Sequence, residues 1–194
     1  SGVNLFDTSE AYGDSESILA RGLKGVLRDS YILATKCRYL DRGGVMRTPE
    51  DIARSIENSL VRLQVDYVDV LQFHVFNSKH YFDVVEQHYP VLKRFQEQGK
   101  IRFIGFSEQF MVEHDHKGVV LALESHPELW DVIQLKIRHT QSDRGGQGSS
   151  PGDGAQRWHR QHGGGTHQAG ESQVIAGTSC RVEDPRPGPL KRRT

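Results

Sequence analysis

The chain has 194 residues, 25 Lys plus Arg against 25 Asp plus Glu, and 36% apolar residues, an ordinary single-domain length with no formal net charge. No apolar run approaches the roughly 18 residues that span a bilayer, and Ser1-Gly2-Val3-Asn4 lacks the basic start and apolar stretch of a signal peptide, so neither a membrane nor a secreted protein is expected. Cys37 and Cys180 are too few for a disulfide framework and no CxxC spacing suggests zinc, which points to a reducing, cytoplasmic setting.

Residues 3–6 form a compact apolar run that ends on Asp7, and residues 16–27 then carry Ile18, Leu19, Leu23 and Leu27 at helical spacing. The strand signal returns at 31–35. After a Gly-Gly loop, Thr48 is placed to cap a helix with Pro49 at its first position, Glu50 and Asp51 at the positive end of its dipole, and Ile52, Ile56, Leu60 and Leu63 as its buried stripe. A strand at 67–73, a helix at 82–98 and a strand at 101–106 follow, then a helix at 112–124 and a strand at 131–135. Such alternation requires crossover helices, hence a parallel sheet with right-handed connections. Strand starts recur about every 30 residues, so eight units would fill the roughly 250 residues of a (β/α)8 barrel. Five strands in residues 1–136 fit either an open doubly wound sheet or a partial barrel.

Composition changes abruptly after residue 136. Residues 137–194 hold 11 of the 20 Gly and 4 of the 7 Pro, with 9 basic residues against 5 acidic ones, while the first part carries 16 against 20. Only 10 of those 58 residues are apolar, too few to repay ordering a core, so this tail is predicted to be disordered and without strands. Its Arg144-Gly145-Gly146 and Lys191-Arg192-Arg193 lack aromatics for base stacking, so no nucleic-acid partner is expected. His159, His162 and His167 have no acidic or Cys partner at ligand spacing, so no metal is expected.

Polar residues mark the C-terminal ends of the predicted strands, the face where parallel α/β folds build their chemistry. Asp7 ends the first, Lys36 the second, His74 the third and Ser107 the fourth, with Tyr12 in the loop after the first. The set suits carbonyl reduction. A phenol titrates near about 10, too high for proton exchange at neutrality, and an adjacent ammonium such as Lys36 would lower it. Asp7 would keep that ammonium charged, His74 would hydrogen-bond the substrate oxygen, and Tyr12 would deliver the proton. Cys37 alternates to the other side of its strand and reads as a packed thiol.

These residues sit in motifs that resemble the aldo-keto reductase family. The stretch from Gly2 to Thr8 with Tyr12-Gly13 and Ser15-Glu16 is similar to its first signature, and Ala34-Thr35-Lys36 to its lysine strand. Ser59 to Leu63 followed by Asp66 to His74 is similar to its histidine segment, and Gly99 to Ser107 to its fifth strand, which makes the first strand here the family's second. The resemblance implies a partial (β/α)8 TIM barrel, truncated at its N-terminus, whose residues after 136 are unrelated and read like an out-of-frame translation. It implies hydride transfer from NADPH, or from NADH, to the carbonyl of a small aldehyde or ketone, without a metal. Tyr12 is then the general acid, Lys36 and Asp7 tune it, His74 positions the oxygen, and Ser107, Gln134 and Asp7 hold the cofactor. At the family's Asn position stands Glu108, which cannot donate an amide hydrogen bond when ionised. With three strands unaccounted for, the expectation is weak binding of NADPH. The alternative is a non-catalytic relative that senses cofactor, or an inactive truncated product.

Overall fold

The computed structural model describes residues 2–108, 111, 113–138 and 171–177. Strands β1 (Leu5–Asp7), β2 (Ile32–Arg38), β3 (Val68–Phe76), β4 (Ile101–Glu108) and β5 (Val132–Arg138) are parallel and adjacent in chain order. They curl into a half-barrel with helices on the outside, the partial (β/α)8 arrangement expected from the sequence.

The connecting helices are α1 (Ser15–Gly22) and α2 (Pro49–Leu63), then α3, then α4 (Lys117–Ser125). Thr48 caps α2 as expected, its hydroxyl accepting from the Asp51 N–H at 3.2 Å, and Ile52, Ile56, Leu60 and Leu63 are all buried. The α1 stripe stops earlier than its periodicity suggests: Leu23 follows the helix and Leu27 stands exposed in the turn. Helix α3 runs through Tyr81–Asp83, a π-helical Val84–His88 and Tyr89–Glu97. The wide turn sits directly before Pro90, which has no N–H to return to the preceding turn, and the ladder shifts there. Helix α4 begins five residues later than predicted. His116 adopts φ 56°, which breaks helical continuity, and the Glu113 carboxylate receives the Gly118 and Ser78 N–H groups across the gap.

The two sides of the sheet differ in chemistry. Leu33, Cys37, Leu71, Phe73, Ile104, Phe106 and Ile133 face the helices and pack against α2 and α3 in one apolar cluster. Residues of the other parity line the inside of the curve. Pairing puts Asp7 beside Ala34, Lys36 beside Gln72, Gln72 beside Gly105, and Ser107 beside Gln134. The inner row nearest the strands' C-terminal ends is therefore polar from β1 to β5. Gly105 is required where β4 meets β5: a Cβ there would lie 2.1 Å from the Val132 carbonyl oxygen.

Among the described residues the tail departs from its predicted lack of strands. Glu171–Gly177 forms β6, antiparallel to β5, with Leu135 opposite Val174 and Gln134 opposite Ile175. The physical reason is the tail's one apolar triplet, Val174-Ile175-Ala176, meeting the open hydrogen-bonding edge of β5. The disorder predicted for the remainder of the tail falls on residues outside those described.

Candidate active site

The loop after β1 runs alongside β2 beyond the strand itself. Thr8 N–H donates to Ala34 O at 3.0 Å and Glu10 N–H to Lys36 O at 3.2 Å, so the chain climbs the C-terminal rim before turning. Tyr12 N–H then donates to Ser9 O, and Gly13 at φ 57° supplies the left-handed residue that sends the backbone into α1. Tyr12 is thereby hung over the ends of β2 and β3, half exposed.

Lys36 is 1% exposed, and its ammonium donates to Asp7 Oδ2 at 2.5 Å and to Thr8 O at 3.0 Å. Burial pushes its pKa down and the Asp7 carboxylate pushes it back up, with a net lowering. The ammonium lies 5.3 Å from the centre of the Tyr12 ring, a cation–π distance. Tyr12 Oη is 3.4 Å from His74 Nε2, and the two rings meet edge to face at 5.4 Å. The structure thus brings together Asp7, Tyr12, Lys36 and His74, all four residues taken from the sequence.

One electrostatic expectation is corrected. Lys36 does not acidify Tyr12 in this arrangement; the phenol's pKa is raised, first by its partial burial and then by the Asp7 charge. The reason is that the ammonium is neutralised by Asp7 and faces the ring, so the carboxylate cancels the pull it would exert on the hydroxyl.

His74 titrates at about 4, pulled down by burial and by the neighbouring Lys36 and Arg38 cations. It is a neutral imidazole at pH 7. Its Nδ1 is 3.0 Å from the Ser9 hydroxyl, which is fully buried and also receives the Ala11 N–H at 3.1 Å. Next to His74, Val75 takes φ 62°, an unusual conformation for a β-branched residue, and the β3–β4 register shifts between Phe73 and Phe76. The Tyr39 hydroxyl donates to Val75 O at 3.1 Å and pins that irregularity. Strain of this kind concentrates at functional sites and here sets where the imidazole points.

Ser107 and Gln134 face each other across β4 and β5 on the inner side, and the Gln134 amide donates to Asp7 Oδ2 at 3.3 Å. Glu108 turns away: its carboxylate meets His116 Nδ1 at 2.6 Å, and burial raises its pKa. Three residues that no sequence signal singled out belong to the same rim. Ser9 touches His74. Glu10 receives the Arg38 N–H at 2.7 Å and the Arg47 guanidinium at 2.9 Å, and it also bonds the Ser55 hydroxyl. Arg38, opposite His74 in register, lines the cavity beyond them. Strand alternation from Lys36 would have put Arg38 on the inner face, whereas the Ser9 contact depends on a loop path that residue patterns do not reveal. Cys37 is buried on the helix side, with its pKa raised by burial, and takes no part.

Comparison with known proteins finds similar reductases and dehydrogenases. L-galactose dehydrogenase of Arabidopsis thaliana is 43% identical over 111 residues, 55% of this chain and 34% of that protein. NADH-specific methylglyoxal reductase of Escherichia coli is 32% identical over 150 residues, 70% of this chain and 44% of that one. An aldo/keto reductase crystal structure from Brucella melitensis shares the fold with a TM-score of 0.55 over 70% of this chain and 49% of its own, at 22% identity. The chain spans less than half the length of the curated relatives named here. The aldo/keto reductase family model matches residues 1–126, well over half of the chain and every element from β1 to α4, and on that match the chain belongs to the aldo/keto reductase family.

Proposed function

We propose that this rim reduces aldehydes or ketones to alcohols with a nicotinamide cofactor, NADPH or NADH. The observation that carries the reading is the convergence of the Tyr12 hydroxyl and His74 Nε2 at 3.4 Å, above a Lys36–Asp7 pair closed at 2.5 Å. A carbonyl oxygen placed between the phenol and the imidazole has two polar groups aimed at it. As negative charge grows on that oxygen, Tyr12 gives up its proton to it, a transfer driven by the far greater basicity of an alkoxide than of a phenolate even with the phenol's pKa raised. His74, neutral, orients the oxygen through Nε2–H. That tautomer requires the Ser9 hydroxyl to give its one proton to Nδ1 at 3.0 Å and not to the Lys36 carbonyl at 3.4 Å.

Ser107 and Gln134 fit the carboxamide of a nicotinamide, because a hydroxyl and an amide opposed on the inner face offer both donors and acceptors. The bound cofactor would supply the hydride for the carbonyl carbon. Glu108, engaged with His116, is not placed to assist, so this chain would grip the carboxamide without the amide that the family carries there. The E. coli relative's name specifies NADH, which is why both cofactors belong in the test. Loss of absorbance from NADPH and from NADH, with a panel of small aldehydes, should be measurable for the wild type and should fall by about 100-fold or more in Tyr12→Phe. Turnover unchanged in that variant would refute Tyr12 as the proton donor.

A further inference from the structure

Beyond Tyr12 the rim opens into a cavity of about 390 Å³ lined by Glu10, Ala11, Gly13, Arg38, Asp41 and Arg42 among others. Its charges are unevenly satisfied. Glu10 is saturated by the Arg38 backbone N–H, the Arg47 guanidinium and the Ser55 hydroxyl. Asp41 Oδ1 receives the Gly43 and Val45 N–H groups at 2.8 and 2.9 Å, closing its own loop. The guanidinium of Arg38, a partly buried residue, by contrast makes no hydrogen bond or ion pair among the described residues, and neither does exposed Arg42. A partly buried guanidinium costs desolvation that a fixed counter-charge would ordinarily offset. Here the Glu10 carboxylate is taken up by Arg47 and Ser55, and Asp41 Oδ1 by its own loop.

Arg38 is also one strand spacing from His74, its register partner, and Ala11 and Gly13 on the cavity wall flank Tyr12 in sequence. Through Arg38 the cavity therefore adjoins the His74 ring against which Tyr12 rests. We propose that Arg38, with Arg42 at the rim, binds an anionic group carried by the carbonyl substrate itself, a carboxylate or a phosphate ester. The guanidinium fork pairs with either anion through two parallel hydrogen bonds. This inference rests on the reductase reading, because it places the anion a few bonds from the carbonyl that Tyr12 and His74 address.

The test is a binding measurement on the full chain without cofactor or turnover. Amide chemical shifts are followed while pyruvate and its uncharged counterpart methyl pyruvate are added, and in parallel dihydroxyacetone phosphate and dihydroxyacetone. At least one anion should bind about tenfold or more tightly than its neutral partner, shifting the Gly13, Asp41 and Arg42 amides, and which pair shows the preference identifies carboxylate or phosphate. Arg38→Gln should reduce the preference to near unity, and Arg38→Lys, which keeps the charge without the fork, should retain part of it. Equal affinity of charged and neutral ligands in the wild type, absence of binding by both anions, or a preference unchanged in Arg38→Gln would each overturn the proposal. Should Arg38→Gln fail to fold, the wild-type and Arg38→Lys titrations decide alone. A chain that oxidises NADPH with neutral aldehydes yet shows no anion preference loses this inference and keeps the reductase reading; anion binding through Arg38 in a chain inert toward all carbonyls removes the reductase reading and with it the assignment of the anion to a carbonyl substrate.

Discussion

The neutral state of His74 has a consequence for stability that is separable from catalysis. Its pKa in the folded chain is about 4, against about 6.5 for a free imidazole. Between these values the unfolded chain binds a proton that the folded chain refuses, so stability rises with pH across this window and is lost as pH falls from 6.5 to 4. The full difference corresponds to about 3 kcal/mol, and the half-exposed surroundings reduce the expected effect to about 2 kcal/mol. The groups that face the ring are Lys36 and Arg38 from β2, which depress the pKa behind burial, and Asp7 and Glu10, which oppose them. Replacing His74→Asn removes the titration and keeps a polar side chain. Urea unfolding followed by fluorescence at intervals from pH 7 to pH 4 should show the wild type losing about 2 kcal/mol more than the variant. His88, also lowered by burial, and Glu108, raised by it and opposite in sign, titrate in both proteins and cancel in the difference. Parallel curves would show that the ring is not held neutral, and the Nε2 donor assigned to it would lose its basis.

Two further outcomes test the frame that carries the site. Gly105→Ala places a methyl 2.1 Å from Val132 O and should destabilise the chain by about 3 kcal/mol, read from thermal unfolding; a change within about 0.5 kcal/mol would mean that β4 and β5 do not approach as described. Asp69, 4% exposed, accepts from Arg28 at 2.6 Å, Arg102 at 2.9 Å and Leu33 N–H at 2.8 Å, so Asp69→Asn should cost about 2 kcal/mol, and an unchanged urea midpoint would show that this hub is dispensable.

Most of this architecture is legible from spacing because α2 and the strands each carry one strong periodic signal. Thr48, Pro49 and the Ile52 to Leu63 stripe specify a helix that the packing then uses unchanged. The strand ends are legible for the same reason: a polar residue closing an apolar run marks the rim, and Asp7, Lys36, His74 and Ser107 all lie there. What spacing does not carry is the path of irregular backbone. The bulge at Val75, the climb of Thr8 to Glu10 along β2 and the left-handed His116 arise from contacts between distant segments, and they decide that Ser9 meets His74 and that Glu108 meets His116. The electrostatics of Tyr12 is hidden from residue order for a related reason. The effect of Lys36 on Tyr12 depends on where Asp7 closes on the ammonium, which is a matter of ångströms and not of residue order. In the tail, a low average apolar content concealed the local triplet that forms β6.

The position of Lys36 shows how the buried side of the sheet holds the chemical side in place. Its neighbours Thr35 and Cys37 are 0% and 1% exposed and point toward the helices, where the Thr35 hydroxyl donates to Glu16 at 2.6 Å and Glu16 in turn receives Arg62 of α2 at 2.7 Å. A slip of β2 by one residue would drive the ammonium into the apolar cluster and turn Thr35 inward, exchanging every side chain between the two faces. The desolvation cost of that exchange far exceeds anything gained at the rim, so register is enforced from the helix side. Asp7 is carried by a strand of only three residues, yet it meets the ammonium because the ladder continues through Thr8 and Glu10 onto Ala34 and Lys36. The site is therefore placed by the continuous pairing of β1, β2 and β3 and by the helices that lock them. Its polar groups cost stability that the apolar side of the same strands makes up.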